Sequence, residues 1–329
     1  MRVIHKIYQS IESMWWHKKK PNLLLQGLSK LYSVASRYDQ RQRCKGASKA
    51  PLPLISIGNI SVGGSGKTPF TIWLAGQLKK HHFKPVILCR GDGGKQAAPQ
   101  LLDHHSLAKD VGDEAVLLHR MSLCPVISAQ DRVKASRMAA EYGDVILLDD
   151  GFQYRQLQRQ CDIVLIPNEG VGNGHLLPAG PLRELPEALN RADIIVHTGS
   201  TTNKPLTDNK EWCWHTKSQP LNDWNQCGKA APKSVIAVSA IARPQRFKQS
   251  LQDLNIHVAS SVFFPDHYTF KKSDMQHIWQ QHTAVAVTAK DAVKLLPIWP
   301  KNRALWVLEQ GSEGEAGLVE AILATLEKL

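Results

Sequence analysis

The chain has 329 residues, 43% of them hydrophobic and 21% charged; this excludes global disorder and, at about 150 residues per domain, predicts two domains able to bury their own cores. Lys and Arg number 41 against 29 Asp and Glu, a net charge of +12, yet residues 1–50 hold 11 of the basic side chains and only 2 of the acidic ones. The other 279 residues are close to neutral, so the basic surface sits at the N-terminus and nucleic acid is not the expected partner.

The six cysteines never fall two to four residues apart, which excludes a zinc knuckle or a thioredoxin motif and fits reduced thiols in a cytosolic setting. No apolar run reaches the roughly 18 residues of a transmembrane helix. The first apolar positions are interrupted by His5, Lys6, Gln9 and Glu12, unlike a cleavable signal peptide.

In chain order, the first element is an amphipathic helix, with Val3, Ile4, Ile7, Tyr8, Ile11, Met14 and Trp15 spaced by three and four, ending at Lys18-Lys19-Lys20-Pro21. A second follows through Leu24, Leu28, Leu31 and Ala35 to about Tyr38. An apolar stripe of this kind suits either the protein's own core or a membrane interface. The Lys triplet beside Trp15 and Trp16 favours an anionic membrane surface, contacted through residues 1–50.

From Pro51 onward, β-rich runs at 53–60, 84–89, 124–128, 144–149 and 161–166 alternate with helical stretches, the pattern of a mostly parallel α/β sheet. Residues 167–183 are too rich in Gly and Pro for a regular element and predict a junction loop. Strands are expected again near 193–197, 234–238, 258–263, 284–288 and 304–308, with 199–232 read as an irregular surface excursion. The predicted organisation is an arm (1–50), a P-loop core (51–166) and a smaller second α/β domain (167–329), whose segment 304–329 can pack back on the core.

The clearest motif is Ser61-Val62-Gly63-Gly64-Ser65-Gly66-Lys67-Thr68, between a strand and a helix that starts near Pro69. Glycines let backbone N–H groups close on phosphate oxygens at a helix N-terminus, where the dipole favours an anion. Lys67 is placed to reach the β and γ phosphates of ATP, and the Thr68 hydroxyl to hold Mg²⁺. The usual motif opens with Gly, where this chain has Ser61. A carboxylate partner for the metal is expected at the end of a neighbouring strand, and Val145-Ile146-Leu147-Leu148-Asp149-Asp150-Gly151 supplies two.

These segments occur with others: Gly58-Asn59; Gly112-Asp113-Glu114; Asp149-Asp150-Gly151-Phe152-Gln153; Leu176 to Glu184; Ala242-Arg243-Pro244-Gln245-Arg246-Phe247; Phe264-Pro265-Asp266-His267; and Lys290-Asp291-Ala292-Val293-Lys294. In this order the chain resembles the tetraacyldisaccharide 4′-kinases of lipid A synthesis. The resemblance implies a P-loop core, a second α/β domain and a membrane-associating N-terminal helix. It also implies transfer of the ATP γ-phosphoryl group to the 4′-hydroxyl of a tetraacylated glucosamine disaccharide 1-phosphate. The product would be lipid IVA, made by a peripheral enzyme at the cytoplasmic face of the bacterial inner membrane.

A sugar hydroxyl needs a base, and the resemblance makes it Asp113, paired with His267; taken singly, these residues also read as a helix cap and a loop histidine. Arg183 and Glu184 end the Gly/Pro-rich loop. They fit a phosphate contact and a Mg²⁺ ligand respectively, or equally a surface ion pair, and Arg90 is a further phosphate contact. The chain departs from the family pattern at Asp92, Tyr154 and Ala289. A ParA- or MinD-like ATPase is the alternative enzyme, but its signature Lys is replaced here by Val62; a non-catalytic adaptor using the basic arm would not need Lys67, Asp113 and Asp149 together.

Overall fold

The computed structural model of the chain describes residues 11, 13–16, 20–94, 98–199, 205–208, 210–266, 268–281 and 284–327. Most of the first predicted helix, including Val3 to Tyr8, lies outside these residues. Residues 13–16 are helical, and α1 (Leu23–Lys45) follows, its start fixed by Asn22, whose Oδ1 accepts the Leu25 amide at 2.9 Å. This helix runs seven residues past the expected end at Tyr38, because no Gly or Pro follows Tyr38 until Gly46.

Every expected strand of the first half forms, as β1 (Leu54–Gly58), β2 (Pro85–Cys89), β4 (Val126–Ser128), β5 (Val145–Asp149) and β6 (Cys161–Pro167); a short β3 (Gln100–Leu101) is added antiparallel to β4. β6, β1, β5, β2 and β4 are adjacent and parallel. β1, β5 and β6 are buried along their full length, as strands covered by helices on both faces must be. The covering helices are α2 (Lys67–Lys80), α3 (Ala108–Val111), α4 (Asp113–Ser122) and α5 (Arg132–Ala139).

The sheet does not stop at residue 166. β7 (Ile194–Thr198) lies parallel to β6, and β8 (Glu211–Ser218) parallel to β7. The 167–183 segment therefore connects neighbouring strands of one sheet. The expectation that 199–232 is irregular is overturned at β8, whose Trp212 and Trp214 turn inward onto the core formed by Ile55, Phe70 and Val196. Glu-Trp-Cys-Trp-His-Thr-Lys-Ser alternates between a buried aromatic face and a polar one, a period-two pattern masked by its polar members.

A second sheet contains β9 (Asn222–Asp223), β10 (Ser234–Ser239), β11 (His257–Phe263), β12 (Ala284–Thr288) and β13 (Trp306–Leu308), in the order β11-β10-β12-β13-β9. With it pack α6 (Pro244–Asp253), α7 (Lys272–Gln280) and α8 (Ala289–Leu295). The chain then returns to the first sheet through β14 (Gln310–Gly314), antiparallel to β8, and α9 (Leu318–Leu326), whose Leu318, Ile322 and Leu326 join the first core.

One helix belongs to both cores. α4 places Ala115 and Leu118 in the core of the first sheet and Leu117 in that of the second.

The end of β1 is closely packed against the end of β5. A Cβ at Gly58 would lie 2.4 Å from Phe152 Cβ and 2.8 Å from its backbone nitrogen, so this position admits no side chain. Gly58→Ala is therefore expected to lower stability by about 1–3 kcal/mol, an overpacking cost read from the shift of a urea denaturation midpoint. An unchanged midpoint would show that Phe152 can move aside.

Candidate functional site

Between β1 and α2 the chain forms the expected glycine-rich loop. Gly66, at the N-cap of α2, adopts a left-handed φ of 83°, which turns the backbone into the helix, and no side chain caps the first amides of α2. The end of this helix is therefore presented as an anion-binding terminus. Asn59, fully buried, stiffens the loop: its Nδ2 donates to Ser65 Oγ at 2.8 Å, and its Oδ1 accepts from Lys67 Nζ at 3.4 Å. The Gly58-Asn59 pair is visible in the sequence, but the role of Asn59 emerges only from this geometry.

The same loop is held from outside by the Gly/Pro-rich segment. Val62 N donates to Pro181 O at 2.8 Å and Arg183 N to Ile60 O at 2.7 Å.

At the end of β5, Asp149 is buried against α2 and accepts from Thr68 Oγ1 at 3.2 Å and Thr71 Oγ1 at 2.9 Å. Thr71 is a second residue that sequence reasoning missed; its spacing of three from Thr68 places both hydroxyls on one helix face. Asp150 follows with a left-handed φ of 51°, which an Asp tolerates better than most residues. The turn directs its carboxylate away from Asp149, to Lys67 Nζ at 3.5 Å and Arg183 Nη1 at 3.2 Å.

Their surroundings push the two carboxylates apart electrostatically. Burial, then the charges of Glu114 and Asp150, raise Asp149 to about 7, against a partial opposing pull from Lys67. For Asp150 burial also pushes upward, but Lys67 and Arg183 outweigh it and hold the group below the ordinary carboxylate value.

Glu184 is no surface residue: 12% exposed, it accepts from Arg191 Nη2 at 2.8 Å and from Gln153 Nε2 at 3.0 Å. Gln153 also donates to Asn59 O at 2.8 Å, which ties Glu184 to the base of the phosphate loop. Arg90 is placed differently, on an exposed turn where its guanidinium pairs with Asp92 at 3.1 Å. Tyr154 accepts the Arg132 amide at 3.0 Å while the Arg132 guanidinium lies 3.9 Å over its ring and donates to Asp150 O at 3.3 Å. Two of the three departures from the family pattern thus have local partners of their own.

Asp113 begins α4 and is buried, its Oδ1 accepting the Glu114 amide at 3.0 Å and its Oδ2 lying 3.9 Å from Lys290 Nζ. Its expected partner His267 lies outside the described residues.

The N-terminal helices meet this region from the side. Trp15 Nε1 donates to Pro178 O at 3.0 Å, so one of the paired indoles read as membrane anchors is bound to the Gly/Pro-rich loop. α1 docks through hydroxyls, Ser29 Oγ to Leu176 O at 2.9 Å and Tyr32 OH to Arg183 O at 3.3 Å. Between α1 and residues 183–188 lies an open cleft of about 840 Å³, lined among others by Arg37, Arg41, Lys45, Arg155 and Arg183. The apolar stripe faces away from the protein: Leu24 is 72% exposed, Leu31 68% and Val34 71%.

Residues 21–327 match the family model described as tetraacyldisaccharide-1-P 4′-kinase. Similar proteins bearing the name tetraacyldisaccharide 4′-kinase include one from Aeromonas salmonicida, 34% identical over 97% of both chains, and one from Chromobacterium violaceum, 37% identical over 92% of both. Among solved structures, LpxK from Aquifex aeolicus in complex with ATP superposes with a TM-score of 0.77 at 28% identity, covering 91% of this chain and 98% of that one. The chain belongs to the tetraacyldisaccharide 4′-kinase family.

Proposed function

We propose that the protein transfers the γ-phosphoryl group of ATP to the 4′-hydroxyl of a tetraacylated disaccharide 1-phosphate, forming lipid IVA. The observation that carries this reading is the group around the start of α2: Lys67 between Asn59 and Asp150, with Thr68 and Thr71 on Asp149. The amides of the 61–68 loop and Lys67 hold the nucleotide phosphates. Arg183, beside Asp150, is the second cation for the transferring group.

The residues fit Mg²⁺. Thr68, Asp149 and Asp150 offer hard oxygen donors at one strand end, and the buried charge of Asp149, disfavoured by its neighbours, is what a divalent cation relieves. When bound, the ion draws charge from the phosphate oxygens. Glu184 supports the loop through Gln153 and completes the acidic side of the site.

Asp113, buried at the head of α4, accepts the proton of the acceptor hydroxyl. The cationic cleft beside α1 receives the anionic end of the acceptor, with Arg183 shared between cleft and phosphate site. Residues 51–183 carry the nucleotide site, and Lys290 from the second sheet's lobe reaches Asp113 and Glu114.

Membrane association is assigned to α1. Among the described residues no helix is long and apolar enough to cross a membrane. The outward stripe of Leu24, Leu28, Leu31 and Val34, flanked by Lys30, Arg37 and Arg41, suits a helix lying in the interface, each cation adding about 1 kcal/mol on an anionic leaflet. The enzyme then works peripherally at the cytoplasmic face of the inner membrane, where its acylated substrate resides.

Incubating the protein with Mg-ATP and tetraacyl disaccharide 1-phosphate should yield a doubly phosphorylated lipid, and Lys67→Ala should lower kcat roughly 10²–10³-fold. Equal absence of product from both, in protein that binds ATP, would remove the kinase reading.

For the membrane, Leu24, Leu31 and Val34 changed together to Ser should reduce co-sedimentation with anionic vesicles while leaving ATP binding intact; unchanged sedimentation would assign docking elsewhere.

A pH effect follows from Asp149. Its folded value of about 7 exceeds the ordinary 3.8, so the fold prefers the protonated form and its contribution to stability falls as pH rises through this interval. Asp149→Asn should therefore raise the melting temperature of the Mg²⁺-free protein by a few degrees at pH 8 and by much less at pH 4, while abolishing phosphoryl transfer. Equal shifts at both values would show that Asp149 is ionised without penalty.

A further inference from the structure

Lys290, the second residue of α8, crosses from the second sheet's lobe to the head of α4. Its Nζ lies 3.3 Å from Glu114 Oε1 and 3.9 Å from Asp113 Oδ2. Burial disfavours the ammonium, but Glu114, Asp113 and Asp266 together outweigh it and raise its proton affinity above the ordinary lysine value. Three carboxylates from two segments thus face one cation that is 22% exposed. Near the same turn the Arg90–Asp92 pair forms a separate, exposed couple, with Asp92 O packed beneath Gly112.

The root of Lys290 is held firmly. Asp291, fully buried, accepts from Ala240 N at 3.1 Å and from Thr288 Oγ1 at 2.8 Å, and pairs with Lys294 Nζ at 3.1 Å. Lys294 also donates to Tyr268 O at 3.2 Å, which secures the segment after β11 that carries Asp266. Ala292, Val293 and Leu295 are sunk in the second core. With its backbone fixed to one lobe and its charge engaged on the other, Lys290 transmits the relative position of the lobes to the residue that begins α4.

We infer that Lys290 is a positioning residue for phosphoryl transfer, holding the Asp113 carboxylate from the opposite lobe so that it meets the acceptor hydroxyl in register. The inference rests on the reading of Asp113 as proton acceptor. Lys290 acts through Asp113: without the cross-lobe cation the carboxylate loses its tie to the second lobe, and small displacements of a reacting group are costly in rate.

The test compares wild type, Lys290→Met, Lys290→Arg and Lys290→Met/Glu114→Gln in steady-state assays with Mg-ATP and tetraacyl disaccharide 1-phosphate, alongside thermal melts. Lys290→Met should lose about 10–100-fold in kcat, with KM for ATP within about twofold and a melting curve that remains cooperative. Lys290→Arg, which keeps the charge and nearly the reach, should recover most of kcat. A Lys290→Met enzyme with wild-type kcat overturns the inference, and so does one in which kcat, KM for ATP and melting temperature fail together and Arg gives no rescue. Recovery of kcat by the added Glu114→Gln would also overturn it, since Lys290 would then only neutralise Glu114. Wild type that forms no product removes the kinase reading itself, an outcome distinct from each of these.

Discussion

Two consecutive carboxylates at the end of a strand buried on both faces set the terms for the rest of the site. Asp149 and Asp150 could not both point the same way without severe repulsion, and the left-handed backbone of Asp150 separates them. One turns to the hydroxyls of Thr68 and Thr71 at the start of α2, the other to Lys67 and Arg183. The phosphate loop is thereby tied to the sheet through its first helical turn. Asn59 and Gln153 extend the connection to Glu184, so loop, strand end and Gly/Pro-rich segment form one hydrogen-bonded body.

That body needs an outer wall, and the chain supplies it from residues distant in sequence. Pro181 and Arg183 run beside Ile60 and Val62; Trp15 and the hydroxyl face of α1 then cover the Gly/Pro-rich segment. A wall built through backbone carbonyls and hydroxyls leaves the apolar side of α1 free for another environment. It also leaves a cationic cleft open between α1 and the loop.

How much of this could be read in the sequence depends on the kind of signal. Fully buried parallel strands such as Val145–Asp149 are continuous apolar runs, and the expected positions coincide with β1, β2, β4, β5 and β6. β8 was hidden because its inward Trp212 and Trp214 alternate with Glu, Cys, His and Lys. β14, Gln310–Gly314, carries no apolar side chain and forms only because β8 offers an open edge. The stripe on α1 was visible, but periodicity names the apolar face without saying which side the protein occupies, and here Ser29 and Tyr32 do the docking. Motif spacing located Lys67, Thr68, Asp149 and Asp150 together. The turn at Asp150 and the ion pair between Lys290 and Glu114, 176 residues apart, are products of tertiary structure that no local pattern encodes.

The sharing of α4 between two cores has a thermodynamic consequence. Two sheets with separate cores would ordinarily melt as two units, each losing only its own contacts. Here Leu117 and Leu118, consecutive residues about 100° apart around one helix, are buried in different cores, so neither core can be exposed without stripping apolar contacts from the other. The lobes are therefore coupled in unfolding, and the calorimetric transition of the body of the protein is expected to be a single cooperative peak, with the amides of Leu117 and Leu118 among the last to exchange with solvent.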